Sequence, residues 1–118
     1  MQDFRRLNIY KRAIAYCKQI YIFSTKLPAN EKYGLISQIR RAAISIPLNI
    51  SEGSGCSTNK EFRHFISYAY RSVNEVLTCL ELIIELKLVK DEIENRDLTN
   101  KGIELSKMIY TFSNKLND

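Results

Sequence analysis

Residues 62–83 read FRHFISYAYRSVNEVLTCLELI. Phe62, Ile66, Ala69, Val73, Val76, Leu80 and Ile83 recur at alternating steps of four and three. That spacing puts all seven on one face of a helix, and its mean period of 3.5 is that of left-handed bundle packing with helices crossing at about 20°. Thr58, followed three residues later by Glu61, forms a capping-box pattern that starts the helix.

Three further helices fall into place around this one. Upstream, the segment Glu31 to Glu52 carries Ile36, Ile39, Ala43, Ile46 and Ile50 at the same alternating spacing, and Gly53-Ser54-Gly55 reads as its left-handed terminus. Before it, Phe4 to Leu27 ends at Pro28, with Leu7, Tyr10, Ile14, Cys17 and Tyr21 as its core face. A second apolar set, Ile9, Tyr16 and Phe23, lies beside that face. The two sets together cover nearly half of the helix, wider than the ~100° stripe of a surface helix. This excess predicts an oligomer interface at Ile9, Tyr16 and Phe23. Downstream, Asp91 to Leu116 offers Ile93, Leu98, Leu105, Met108, Ile109, Phe112 and Leu116 in a less regular series interrupted by Gly102. Short connections between neighbours imply an all-α fold, an antiparallel up-and-down four-helix bundle forming a single domain over 1–118.

With 118 residues, 45% of them hydrophobic, the chain can bury a core without staples. Cys17, Cys56 and Cys79 make neither a C-x-x-C pair nor a metal-ligand spacing, and read as reduced thiols of a cytoplasmic protein. No apolar run approaches the ~20 residues of a membrane span, and no export signal is present, so no membrane partner is expected. The net charge of +5 is uneven. Residues 1–56 hold nine Lys and Arg against Asp3, Glu31 and Glu52, which leaves +6, whereas the remainder holds nine basic and ten acidic side chains, which leaves −1. An acidic partner is implied, nucleic acid above all.

The stretch Gln38–Gly53, QIRRAAISIPLNISEG, places a proline inside an apolar-periodic helix. Pro47 lacks an N–H and clashes with the carbonyl of Ala43, at a cost of about 3 kcal/mol unless neighbours compensate, so a kink is expected there. Gln38, Arg41, Ser45, Asn49 and Glu52 lie along one side of the same helix. One reading makes them a solvated face. The other makes Ser45, Asn49 and Glu52 a hydrogen-bonded network that fixes the helix against its neighbour or another subunit.

QIRRAAISIPLNISEGSG, with EKYGL (Glu31 to Leu35) before it and NKEF (Asn59 to Phe62) and SVNEV (Ser72 to Val76) after it, resembles the four-helix bundle family encoded in intervening sequences of bacterial 23S ribosomal RNA genes. That family is similar to the accessory variability determinant protein, which assists the reverse transcriptase of diversity-generating retroelements. The resemblance implies a ring, a homo-oligomer of five subunits, with basic surface for RNA or DNA and a reverse transcriptase or other protein as partner. It implies no catalytic centre and no cofactor. The family motif falls on Arg41, Ala42, Ser45, Pro47, Asn49, Glu52 and Gly53. Ser51 stands where the family usually has alanine, and Cys56 where a basic residue is common.

Enzymatic chemistry finds little footing. His64, the only histidine, has no cysteine near it and only Glu61 at ligand spacing. EGSGCSTNKEF lacks the G-K-[ST] ending of a phosphate loop and a strand before it. The basic side chains Lys11, Arg12, Lys18 and Lys26 on the first helix, with Arg40 and Arg41 on the second, are the better candidates. They would bind phosphates with little sequence preference. The expected function is therefore that of a non-enzymatic, oligomeric, nucleic-acid-binding accessory protein. The alternative is a scaffold or adaptor whose basic half meets an acidic protein.

Overall fold

A computed structural model describes residues 3–117, and among them there are four long helices and no strand: α1 (Asn8–Ser24), α2 (Ser37–Ser54), α3 (Asn59–Glu85) and α4 (Ile93–Asn114). The molecule measures 47 × 23 × 20 Å, with α1 packed on α2 and α4, and α3 on the same two helices. Paired residues run in opposite order on neighbours. Gln38 meets Glu75 while Gly53 meets Phe62, and Arg12 meets Glu104 while Lys26 meets Glu94. Likewise Phe62 meets Phe112 while Leu80 meets Asn95.

All seven seam residues of α3 are buried, as their spacing requires. At its start the Thr58 hydroxyl accepts from the Glu61 amide at 3.1 Å and donates to the Glu61 carboxylate at 3.2 Å, so Glu61 caps through the hydroxyl. At its end Lys87 takes φ 55°. The Lys87 amide donates to the Ile84 carbonyl at 2.9 Å and the Leu88 amide to the Ile83 carbonyl at 3.0 Å, a Schellman turn with lysine where glycine is the easier residue. Lys87→Gly should therefore raise stability by about 0.5–1 kcal/mol, read from urea unfolding. A loss would mean that the lysine side chain, and not its backbone, matters there.

In α2, Ile39, Ala43, Ile46 and Ile50 are buried as expected, whereas Ile36 is only partly so. The expected helical start at Glu31 is replaced by short 3-10 and π-helical turns over Ala29–Glu31 and Lys32–Ile36. The Glu31 carboxylate, which accepts from the Leu35 amide at 3.2 Å, sits where a Cβ on Gly34 would be, 2.8 Å away. Pro47 is buried within an α2 that runs unbroken from Ser37 to Ser54. Gly53 does not end the helix in a left-handed turn, since none of the four glycines has a positive φ. Its role is close approach: a Cβ there would lie 2.7 Å from Phe62 and 2.8 Å from Phe65.

The expected face of α1 is wrong by a rotation. Ile9, Tyr16 and Phe23, read from sequence as an oligomer interface, are 4%, 3% and 1% exposed and sit in the core of this chain. With Ala13, Ile20 and Leu27 they form a series of steps four and three, the same period as α3. Of the residues assigned to the seam, only Leu7 is buried; Tyr10, Cys17 and Tyr21 are partly exposed and Ile14 is exposed. The core face of α4 is likewise a regular series, Asn95, Leu98, Gly102, Leu105 and Ile109, while Ile93 faces solvent. Asn95 is fully buried, and its amide donates to the Leu80 carbonyl at 3.1 Å, tying α4 to α3.

The Tyr16 hydroxyl donates to the Leu98 carbonyl at 2.9 Å, and burial pushes the phenol above its ordinary value of 10.0. The unfolded chain ionises this group from about pH 10 while the folded chain keeps it neutral. Its contribution to stability is thus whole below pH 10 and is lost as pH rises further, at about 1.4 kcal/mol per pH unit. Tyr16→Phe should remove that slope, measured by urea unfolding between about pH 9 and 11. Equal slopes in both proteins would place the alkaline sensitivity elsewhere.

Candidate nucleic-acid interface

The six cations read from sequence divide into two groups. Arg12 donates to Glu104 at 2.8 Å, and Lys26 is paired with Glu94, so both side chains bridge α1 to α4. Arg40 is partly buried between helices. Its Nε donates to the Ser24 hydroxyl at 2.7 Å and its guanidinium carbon lies 4.8 Å from the centre of the Tyr21 ring. These three are already engaged within the chain. Lys11, Lys18 and Arg41 are exposed, and no carboxylate pairs with them among the described residues. Lys11 and Lys18, seven residues apart, share the outer side of α1 opposite its buried series. Arg41 stands on the outer side of α2 beside exposed Leu48.

The polar side of α2 is mixed. Gln38, Arg41 and Glu52 are exposed, whereas Ser45 and Asn49 are partly buried. The Asn49 amide donates to the Ser45 carbonyl at 2.8 Å, one turn back on its own helix, and Gln38 crosses to Glu75 of α3 at 3.3 Å. Arg71 does not take Glu75 as its partner. Its guanidinium carbon lies 5.8 Å from the centre of the Tyr68 ring, and the Tyr68 hydroxyl is 2.7 Å from Nε2 of His64. This cluster of His64, Tyr68 and Arg71 was not seen in the sequence. Its signal was there, as two rings and a cation at i, i+4 and i+7 on one helix face.

The EGSGCSTNKEF loop does not offer an open anion site at the start of α3. Thr58 already caps the Glu61 amide, and Glu61 and Glu52 lie around the loop with Cys56 and Phe65. Burial, and then the charges of Glu61 and Glu52, push the Cys56 thiol up; burial does the same for Cys17 and Cys79. Thiolate is disfavoured at all three. Among the described residues no group of three His, Cys, Asp or Glu side chains is placed to hold a metal ion, and no helix is long and apolar enough to cross a membrane.

Against this geometry stand the comparisons with known proteins. The family described as 23S rRNA-intervening sequence protein matches residues 5–111. The chain belongs to that family. A crystal structure of a protein of unknown function from the S23 ribosomal protein family of Bacteroides thetaiotaomicron superposes with a TM-score of 0.79. It is 22% identical, and the match covers 89% of this chain and 97% of that one. At that identity the likeness shows the shared four-helix fold alone. No curated protein matches. Within this chain the QIRRAAISIPLNISEG stretch forms part of the core, where it supplies buried Ile39, Ile46, Pro47, Ile50 and Gly53.

Proposed function

We propose that this intervening-sequence protein is a non-enzymatic, oligomeric accessory protein of the cytoplasm that binds RNA or DNA through phosphates. The observation that carries the reading is the unpaired, exposed set Lys11, Lys18 and Arg41 on the outer sides of α1 and α2, in the half of the chain that holds the +6 excess of nine basic over three acidic side chains. A solvated cation with no protein partner gains most from a phosphate, whose neutralisation releases counterions. The test is equilibrium binding of RNA and DNA across a salt series. Log affinity should fall against log salt with a slope of about −0.7 to −0.9 per phosphate contacted. An absence of binding at low salt overturns the reading in favour of an acidic protein partner.

Self-association has its support on the other side of the bundle, where α3 and α4 meet. Leu77, Ile84 and Ile103 line an open groove there, and the exposed rings of Tyr70 and Tyr110 lie 6.4 Å apart beside it. That face is available to a second copy, whereas Ile9, Tyr16 and Phe23 are not. Light scattering should give a multiple of 13.7 kDa, and Ile103→Lys with Tyr110→Lys should reduce it with helical content unchanged. A parent protein of single mass would remove the oligomer from the proposal.

A further inference from the structure

The outer side of α3 carries His64, Tyr68 and Arg71 at steps of four and three, with Phe65 one turn before Tyr68. Tyr68 is 37% exposed. The His64 and Phe65 rings meet it steeply, at 69° with centroids 4.7 Å apart and at 82° with centroids 6.0 Å apart. Its hydroxyl is bonded to His64, so the ring is fixed in orientation. Among the described residues no ring of the chain stacks parallel on it. An exposed aromatic held rigidly, flanked by a guanidinium and lacking a stacked neighbour, is the arrangement on which flat heterocycles are bound.

Tyr68 also lies on the helix that packs against that of Arg41. The Gln38–Glu75 contact fixes the register of α2 against α3. One turn along α2 from Gln38 is Arg41, and one turn back along α3 from Glu75 is Arg71, so the two residues stand at one height on adjacent helices. Neither is paired with a carboxylate among the described residues. A strand whose phosphates are held by Arg41 and Arg71 would bring its bases to Tyr68, one turn back along α3 from Arg71. Duplex bases are already stacked and paired and would not reach it without opening.

We infer that Tyr68, braced by His64 and flanked by Arg71, is a stacking site for an unpaired nucleobase, so that the ligand is single-stranded nucleic acid. The inference rests on the phosphate-binding reading above and adds strandedness to it. The test compares single strands of about 12 nucleotides, a length within the range that one small domain covers, with duplexes of the same length. Single strands should bind more tightly. Tyr68→Ala should weaken single-strand binding by about 5- to 150-fold, the range for losing one stacked base, and leave duplex binding and the salt slope unchanged. Tyr68→Phe, which keeps the ring and loses the bond to His64, should bind within about twofold of the parent. Equal binding of both forms with no effect of Tyr68→Ala overturns the stacking site and leaves the phosphate reading standing. No binding of either form overturns both. A loss from Tyr68→Phe as large as that from Tyr68→Ala assigns the effect to the hydroxyl and also overturns the stacking site. Circular dichroism of each variant separates these outcomes from unfolding, which the exposure of Tyr68 makes unexpected.

Discussion

Gly102→Ala should lower stability by about 2–4 kcal/mol, although alanine in place of glycine inside a helix ordinarily raises it by about 1 kcal/mol. The new Cβ would lie 2.5 Å from the Tyr16 oxygen, 2.8 Å from Leu77 Cδ2 and 3.1 Å from Tyr16 Cζ. Leu77 is a flexible end and can turn away. Tyr16 cannot, because its ring is buried and its hydroxyl is tied to the Leu98 carbonyl one turn earlier on α4. Displacing the ring costs overpacking strain of about 1–3 kcal/mol and leaves a buried hydroxyl without its partner, which costs a similar amount. Urea unfolding gives the number, and a double-mutant cycle gives the cause. With Tyr16→Phe already in place the shortest contact is gone, so the second substitution should cost less by about 1–2 kcal/mol. A Gly102→Ala variant more stable than its parent would sink the close-approach account and return Gly102 to an ordinary helix position.

How far the sequence could be read depended on which residue types sit in the core. The face of α3 was fully legible, because its seam is built from Phe, Ile, Val, Leu and a single Ala69 with no competing set. On α1 two apolar sets competed. The true one passes through Ala13, a weak apolar signal, and through Tyr16, whose hydroxyl makes it equally suited to a rim. Only packing against Gly102 and Leu98 decides between them. On α4 the regular series was hidden because Asn95 and Gly102 occupy core positions, one polar and one without a side chain. Buried Asn95 is tolerated because the Leu80 carbonyl accepts its amide, a partner 15 residues away that no local pattern reveals. The candidate site follows the same rule. The excess of positive charge was legible, but its assignment was not, since Arg12 and Lys26 find carboxylates 92 and 68 residues further along the chain.

That division sets up the most informative test of function. Changing Lys11, Lys18 and Arg41 together to glutamate should lower affinity for RNA and DNA of every sequence by about 100- to 1,000-fold near 0.1 M salt, and flatten the salt slope by about 2–3 units. The estimate follows from three lost phosphate contacts, each worth somewhat less than one decade at that salt. The fold should persist, because the three side chains are exposed and hold no carboxylate. Arg12 and Lys26 would make poor substitutes: glutamate there would face Glu104 or Glu94, and the repulsion would confuse a loss of binding with a loosened α1–α4 contact. Lys101, Lys107 and Lys115 on the nearly neutral half provide the matched reversal. Of these Lys101 already pairs with Asp97 at 3.0 Å, and the carboxylates of that half cancel the field of the others. Equal losses from the two triple variants would mean that affinity follows total charge and not the α1–α2 surface. If instead the first variant alone loses affinity while Tyr68→Ala loses it only for single strands, the two effects separate as phosphate attraction and base stacking should. The first acts on every nucleic acid and fades with salt, whereas the second acts on unpaired bases and does not.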